Sequence, residues 1–189
     1  MLLFLIQDPD IWPKASKKET MDTIQTNTPA TEKEIFIKMV VSYWQVVNNR
    51  TSELFNKLSD EELSAETAPG RNTGVYLLGH LAAVHDAMFP ILGYGDQQHA
   101  DLYEVFVKNP DKSGLEKPSI ASLRECWHKV SAELQQHIDA TPADEWFKRH
   151  NSVSAEDFVK EPQRNKLNLI INRTNHLSTH LGQLIYLTK

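Results

Sequence analysis

Cysteine is almost missing from this chain: Cys126 stands alone among 189 residues. An intrachain disulfide framework is therefore excluded, and the composition fits a reducing, cytoplasmic setting. An excess of positive charge is missing as well. The 20 Lys and Arg face 25 Asp and Glu, leaving a formal net charge of −5, and no basic stripe interleaves with aromatics. Binding along a phosphate backbone depends on clustered Lys and Arg, so nucleic acid is not an expected partner. A long apolar run is missing from the start: Met1–Ile6 is apolar, but Asp8, Pro9, Asp10 and Pro13 follow at once. A membrane span takes about 20 apolar residues and a signal peptide opens on a basic region. Neither is present there, and the protein reads as soluble with no membrane partner. Alternating apolar–polar runs, internal repeats and low-complexity tracts are also absent, which leaves no case for strands and points to an all-α fold.

What is present is helical periodicity. One domain is expected at this length, beginning near residue 30, while the polar, Thr-rich residues 1–29 read as a peripheral arm. Thr31-Glu32-Lys33-Glu34 matches a capping box, and Ile35, Met39, Val46, Val47 and Leu54 recur at helical spacing to about Leu58. Ser59 to Glu62 suggests a short helical turn before Pro69-Gly70 breaks the chain. A second long helix is expected from about Thr73 to Leu92, with Leu77, Leu78, Leu81, Val84 and Met88 on its apolar arc and Pro90 kinking its last turn. Gly93-Tyr94-Gly95 ends it. After a polar connection Ser119 caps a third helix carrying Ile120, Leu123, Trp127, Val130, Leu134 and Ile138. Thr141-Pro142 resembles a new helix start, and Ser154 to Asp157 another short turn. A fourth long helix spans about Arg164 to Leu187. Four such helices predict a four-helix bundle with short extra helical turns in its connections, over residues 30–189.

The chemistry lies in the histidines. The chain has eight, and two of them, His176 and His180, fall four residues apart on the fourth helix. At about 100° per residue they sit about 40° apart on one face. Both lie on the margin of the arc formed by Leu184, Leu177, Ile170 and Leu181. His80 holds the same marginal place on the second helix. A pair from one helix and a third nitrogen from another would make the three-ligand set of catalytic metal sites, which keep one position open. The competing reading is three hydrogen-bonded histidines beside an apolar core. His85, about 140° from His80 around the helix, reads as a packing or supporting residue, and His99, His128, His137 and His150 as surface or capping residues without partners.

Gly79-His80-Leu81 together with His176-x-x-x-His180-x-Gly182-Gln183 resembles the DinB-like superfamily of metal-binding four-helix bundles, over about residues 30–189. That superfamily takes in the YfiT-like proteins classed as hydrolases and thiol-dependent transferases that act with bacillithiol or mycothiol. The resemblance implies a divalent metal, zinc or nickel, held by His80, His176 and His180. It also implies a low-molecular-weight thiol and a small-molecule electrophile as partners, and a homodimer. Three neutral imidazoles leave the cation its full charge, so a water or thiol at the open position loses its proton more readily. A thiol S-transferase or related hydrolase is the function expected. The alternative is a non-catalytic bundle, a small-ligand binder or a dimerising scaffold. Structural zinc usually takes four protein ligands, often cysteines, which argues for the open kind of site.

Other residues have narrower roles. Cys126, about 60° off its helix's buried stripe, reads as packing and not as a nucleophile. Gln183 suits helix packing or a hydrogen bond that supports a ligand, and Asp86 could orient a ligand or pair with a cation. Arg50 and Arg173 lie close to the inward faces of the first and fourth helices. Either their stems pack while their heads reach solvent or a carboxylate, or at least one guanidinium lines the cleft and grips a substrate carboxylate.

Overall fold

A computed structural model describes residues 30–188, so the expected peripheral arm at residues 1–29 lies outside the described residues. Those described are all-helical: two isolated bridges, Glu66 with Thr73 and Arg149 with Asn165, are the nearest approach to a sheet. Four helices are long: α1 (Glu32–Lys57), α3 (Gly74–Asp86), α6 (Ile120–Ala140) and α8 (Lys166–Leu184). Shorter ones fill the connections: α2 (Asp60–Ser64), α4 (Met88–Leu92), α5 (Ala100–Tyr103) and α7 (Ala155–Lys160). The main pairings run α1 against α8 and α3 against α6, with α1–α6 and α3–α8 contacts completing the circuit.

The punctuation is mostly where local chemistry demands it. Ser59 and Glu62 close a reciprocal capping box on α2, which satisfies amides the first turn would otherwise leave bare. Thr73, Ser119, Ser154 and Asn165 each accept a backbone N–H at the start of α3, α6, α7 and α8. Gly93 ends α4 in the left-handed conformation, φ 80°, which costs glycine nothing.

Three expectations need correction. The second long helix is interrupted, with α3 ending at Asp86 and α4 resuming at Met88. Pro90 has no N–H to offer the Asp86 carbonyl and its ring crowds that carbonyl, so the break falls a turn before the proline. Thr141-Pro142 opens no helix but a run of turns. The Trp146 carbonyl accepts from the Leu167 amide (2.9 Å) and the Lys148 carbonyl from the Lys166 amide (3.0 Å). Two of its acceptors go to the start of α8, and the local bonds that remain, from the Glu145 amide to the Pro142 carbonyl and from the Lys148 amide to the Glu145 carbonyl, are single turns. The supposed polar connection after Gly95 holds α5 and a π-helical turn, Glu104–Lys108.

The inward face of α1 also differs. Ile35, Met39 and Tyr43 are 49%, 60% and 58% exposed, while Ile37, Trp44, Val47 and Phe55 are buried. Trp44 sits about 140° around the helix from Met39, and burying the large rings of Trp44 and Phe55 removes more surface from water than the alternative stripe. The stripe left outside lines an apolar groove with α8, between Phe36, Met39, Val40 and Tyr43 on one side and Ile171, Thr174 and Asn175 on the other. The core lies at the centre of the circuit, around Trp44, Trp127, Phe55, Leu78, Leu81 and Leu134. Gly74–Leu92 is long and apolar enough to cross a membrane by length and composition, yet most of it is buried in this core.

Candidate metal centre

The three marginal histidines meet. His80 of α3 and His176 and His180 of α8 bring one ring nitrogen each within 4.8 Å of the others. The Nε2 atoms of His80 and His176 are 3.1 Å apart, and those of His180 and His176 are 3.2 Å apart. Ring centroids are separated by 4.5–5.1 Å, and the rings stand at steep angles to one another. All three side chains are half-buried, as their places beside the apolar arcs require. Ile170, Leu177 and Leu184 pack inward from α8, and Leu77, Leu78 and Leu81 from α3. Apolar burial on adjacent faces thus fixes both helices and leaves the histidines at the seam.

Two of the rings are held from behind. His80 Nδ1 lies 2.8 Å from the Phe106 carbonyl, which can only accept, so Nδ1 carries the hydrogen and Nε2 presents its lone pair. His180 Nδ1 lies 2.7 Å from Gln183 Oε1, with the same result. His176 Nε2 therefore faces two lone pairs and can donate to one of them at most. Such an arrangement could hold a metal ion in the middle. Burial lowers the pKa of His80 and of His180 and brings that of His176 to about 4, with the neighbouring histidines adding to the shift on His80 and His176. The trio is thus neutral near pH 7, the form that ligates metal. Tyr76 stacks under His80 at 6.2 Å between centroids and 11° between planes, and its hydroxyl donates to the Asn109 carbonyl.

The other candidates separate cleanly. Gln183 is the hydrogen-bonding support of His180. His85 is the packing residue expected: it is buried between Trp44 and Trp127, at 5.0 and 4.6 Å, with Ser131 Oγ 3.3 Å from Nδ1. Burial takes its pKa down to about 3. Cys126 is buried, and burial pushes its thiol up to about 11, the reverse of an activated nucleophile. Asp86 orients no ligand, because its carboxylate accepts the backbone amides of Gln98 and His99, each at 2.9 Å. Buried where α3 ends, it holds the end of the loop that runs from α4 to α5. His99, His128, His137 and His150 are half-buried and not plain surface groups. His137 stacks on Tyr94 at 4.9 Å, and His128 Nε2 is 2.8 Å from Asn56 Oδ1.

The two arginines part company. Arg50 is exposed on α1. Arg173, one turn before His176, is half-buried, and its charge acts on His80, His85, His150 and His176. Sequence reasoning missed the Phe106 carbonyl altogether. A backbone acceptor has no residue signature, and Phe106 lies in the π-helical turn that periodicity did not reveal.

A sequence profile described as the DinB superfamily matches residues 43–184. The chain belongs to the DinB superfamily. The matched span takes in α3 and α8 entire, and with them all three histidines of this DinB-superfamily protein. A crystal structure of a conserved protein from Enterococcus faecalis is similar in fold, with a TM-score of 0.54 at 14% identity, covering 79% of this chain and 93% of that one. No curated protein sequence matches the chain.

Proposed function

We propose that the four long helices form a DinB-like bundle whose histidines hold a divalent metal for thiol S-transfer or a related hydrolysis. The observation that carries the metal reading is the convergence of three Nε2 atoms, two of them turned inward by hydrogen bonds on Nδ1. Two nitrogens bound at ~2.1 Å in tetrahedral geometry stand ~3.4 Å apart, close to the 3.1 and 3.2 Å found between the histidines. The donor set is all imidazole, which suits zinc or nickel. Bound there, the cation would supply Lewis acidity to a water or thiol at its open position.

The chain's own residues prepare that site. Phe106 and Gln183 fix two tautomers, so no reorientation is needed when the cation arrives. Burial keeps the imidazoles free of competing protons. Tyr76 and the apolar residues behind His80 exclude water from one side, and among the described residues no carboxylate is paired with any of the three histidines. No protein nucleophile is required: Cys126 is buried with a raised pKa. The substrates would be a small electrophile and a low-molecular-weight thiol.

Metal analysis of the purified protein beside His176→Ala tests the first half of this reading: metal should accompany the parent chain and be lost from the variant. Thiol consumption with a panel of thiols and electrophiles tests the second. Turnover should require divalent metal, collapse in His176→Ala or His180→Ala, and survive Cys126→Ala. Equal rates with metal and with chelator would overturn the enzymatic reading.

A further inference from the structure

Arg173 is a cation placed where electrostatics argues against one. It lies on α8 one turn before His176, and its positive charge presses on His80 and His176 alike. Its Nε is buried without a hydrogen-bond partner, and among the described residues no carboxylate pairs with the guanidinium. An arginine kept only for its stem would turn its head to water or to an acid. This one keeps a donor nitrogen inside the protein and unused, a state that costs free energy unless something fills it. Tyr103 of α5 stands within electrostatic reach of the guanidinium. With three neutral histidines, a divalent cation and Arg173, the cleft carries only positive charge. A field of one sign in a cleft with low-dielectric walls concentrates anions.

We propose that Arg173 is the carboxylate-binding group of this cleft, so that the substrate pair includes a molecule bearing a carboxylate a short reach from its reacting atom. The inference rests on the metal site proposed above. The guanidinium offers parallel N–H donors that match a carboxylate's two oxygens. Lysine at this position would keep the charge but not the fork. Arg173 is here a specificity-determining residue and takes no part in bond making. The carboxylate could belong to the thiol or to the electrophile, and the recognition chemistry is the same.

The test compares 3-mercaptopropionate with 2-mercaptoethanol, and propionate with propionamide, on zinc-loaded protein by calorimetry. The carboxylate member of at least one pair should bind about tenfold more tightly or better. That advantage should vanish in Arg173→Gln and survive only in part in Arg173→Lys. Preference within the thiol pair alone places the carboxylate on the thiol, and preference within the second pair places it on the electrophile. Zinc affinity should hold or rise in Arg173→Gln, because a repelling charge has gone; a merely structural arginine would lower it. A carboxylate advantage that persists in Arg173→Gln, or none in either pair, overturns the inference. A readout without metal separates this failure from that of the metal reading. In zinc-free protein the Arg173 Nε–H resonance should move on adding propionate and stay still with propionamide. Zinc that fails to bind while that resonance moves sinks the metal site and spares Arg173. A resonance that ignores propionate sinks the inference whatever zinc does.

Discussion

His80 and His85 share α3, five residues apart, and live under opposite rules. Around His85 everything is closed: two tryptophans sandwich the ring, a serine hydroxyl meets Nδ1, and burial drives the pKa to about 3. Around His80 the ring is half-buried, tethered at Nδ1 and open at Nε2 toward two more histidines. Both imidazoles are neutral, but one is a filler with a polar edge and the other a donor held ready. The angle around the helix decides which is which. A residue on the core side is enclosed, whereas one at the seam between α3 and α8 keeps a free lone pair.

The comparison breaks hardest at the tryptophan. Trp127, wholly buried and joined through Nε1 to Ser52 Oγ at 3.0 Å, should cost about 3–5 kcal/mol of stability on Trp127→Ala, read by denaturant unfolding. His176→Ala should do the reverse. Stability of the metal-free protein should change by less than about 1 kcal/mol, since the ring is half-exposed and its removal relieves repulsion. Metal affinity should fall by more than the roughly 10–100-fold expected for losing a supporting partner, measured by competition with a chelator. If Trp127→Ala weakens metal binding more than it weakens the fold, the two regions are not separate.

Acid should find His85 first in the energetics. Its folded pKa of about 3 lies below the ordinary histidine value of 6.5, so the unfolded chain takes up a proton that the folded chain refuses. Stability on this account is full above about pH 6.5 and declines as pH falls toward 3, at up to ~1.4 kcal/mol per pH unit. The charge of Arg173 presses the same way, as does that of His176 once it is protonated. Replacing His85 by Gln should flatten that limb of the stability–pH curve, measured by urea unfolding between pH 4 and 7; an unchanged slope would remove His85 as its source.

Gly79 links the two regions. A Cβ there would stand 2.5 Å from the ring of Phe106, which is itself wholly buried. Gly79→Ala should cost about 1–3 kcal/mol by overpacking. It should also shift the carbonyl that holds His80, weakening metal binding although no ligand has changed. The smallest effect expected is from Gln183→Ala, about tenfold in metal affinity with stability unaltered, because Gln183 is exposed and touches the site only through His180 Nδ1.

The helical class and the histidine trio were legible because both depend on spacing. His176 and His180 recur at one turn, and the apolar arcs of α6 and α8 run where periodicity put them. α1 misled because it carries two apolar stripes, and only the size of Trp44 and Phe55 decides between them. Asp86 misled because its carboxylate is consumed by two amides from the loop after α4, contacts that no local pattern encodes. Thr141-Pro142 has the right residues for a helix start, but two of the carbonyls beyond it, those of Trp146 and Lys148, are claimed by α8. Spacing along a helix can be read from sequence; competition between distant partners for the same hydrogen bond cannot.

The tether between Phe106 and His80 also bears on the order in which the protein is made. His80 and Phe106 are 26 residues apart, but His176 is 96 residues beyond His80. At ribosomal speeds of about 5–20 residues per second, some ~5–20 s separate the synthesis of the first histidine from that of the pair. Once Phe106 has followed, for the rest of that interval, a nascent chain can carry a pre-set His80 but only one of the three donors. One imidazole grips a cation feebly, so an unfinished chain makes a poor competitor for the cell's metal. Two of the three donors arrive together on α8, which would make metal capture a late event, open only to chains in which α8 has been made and packed.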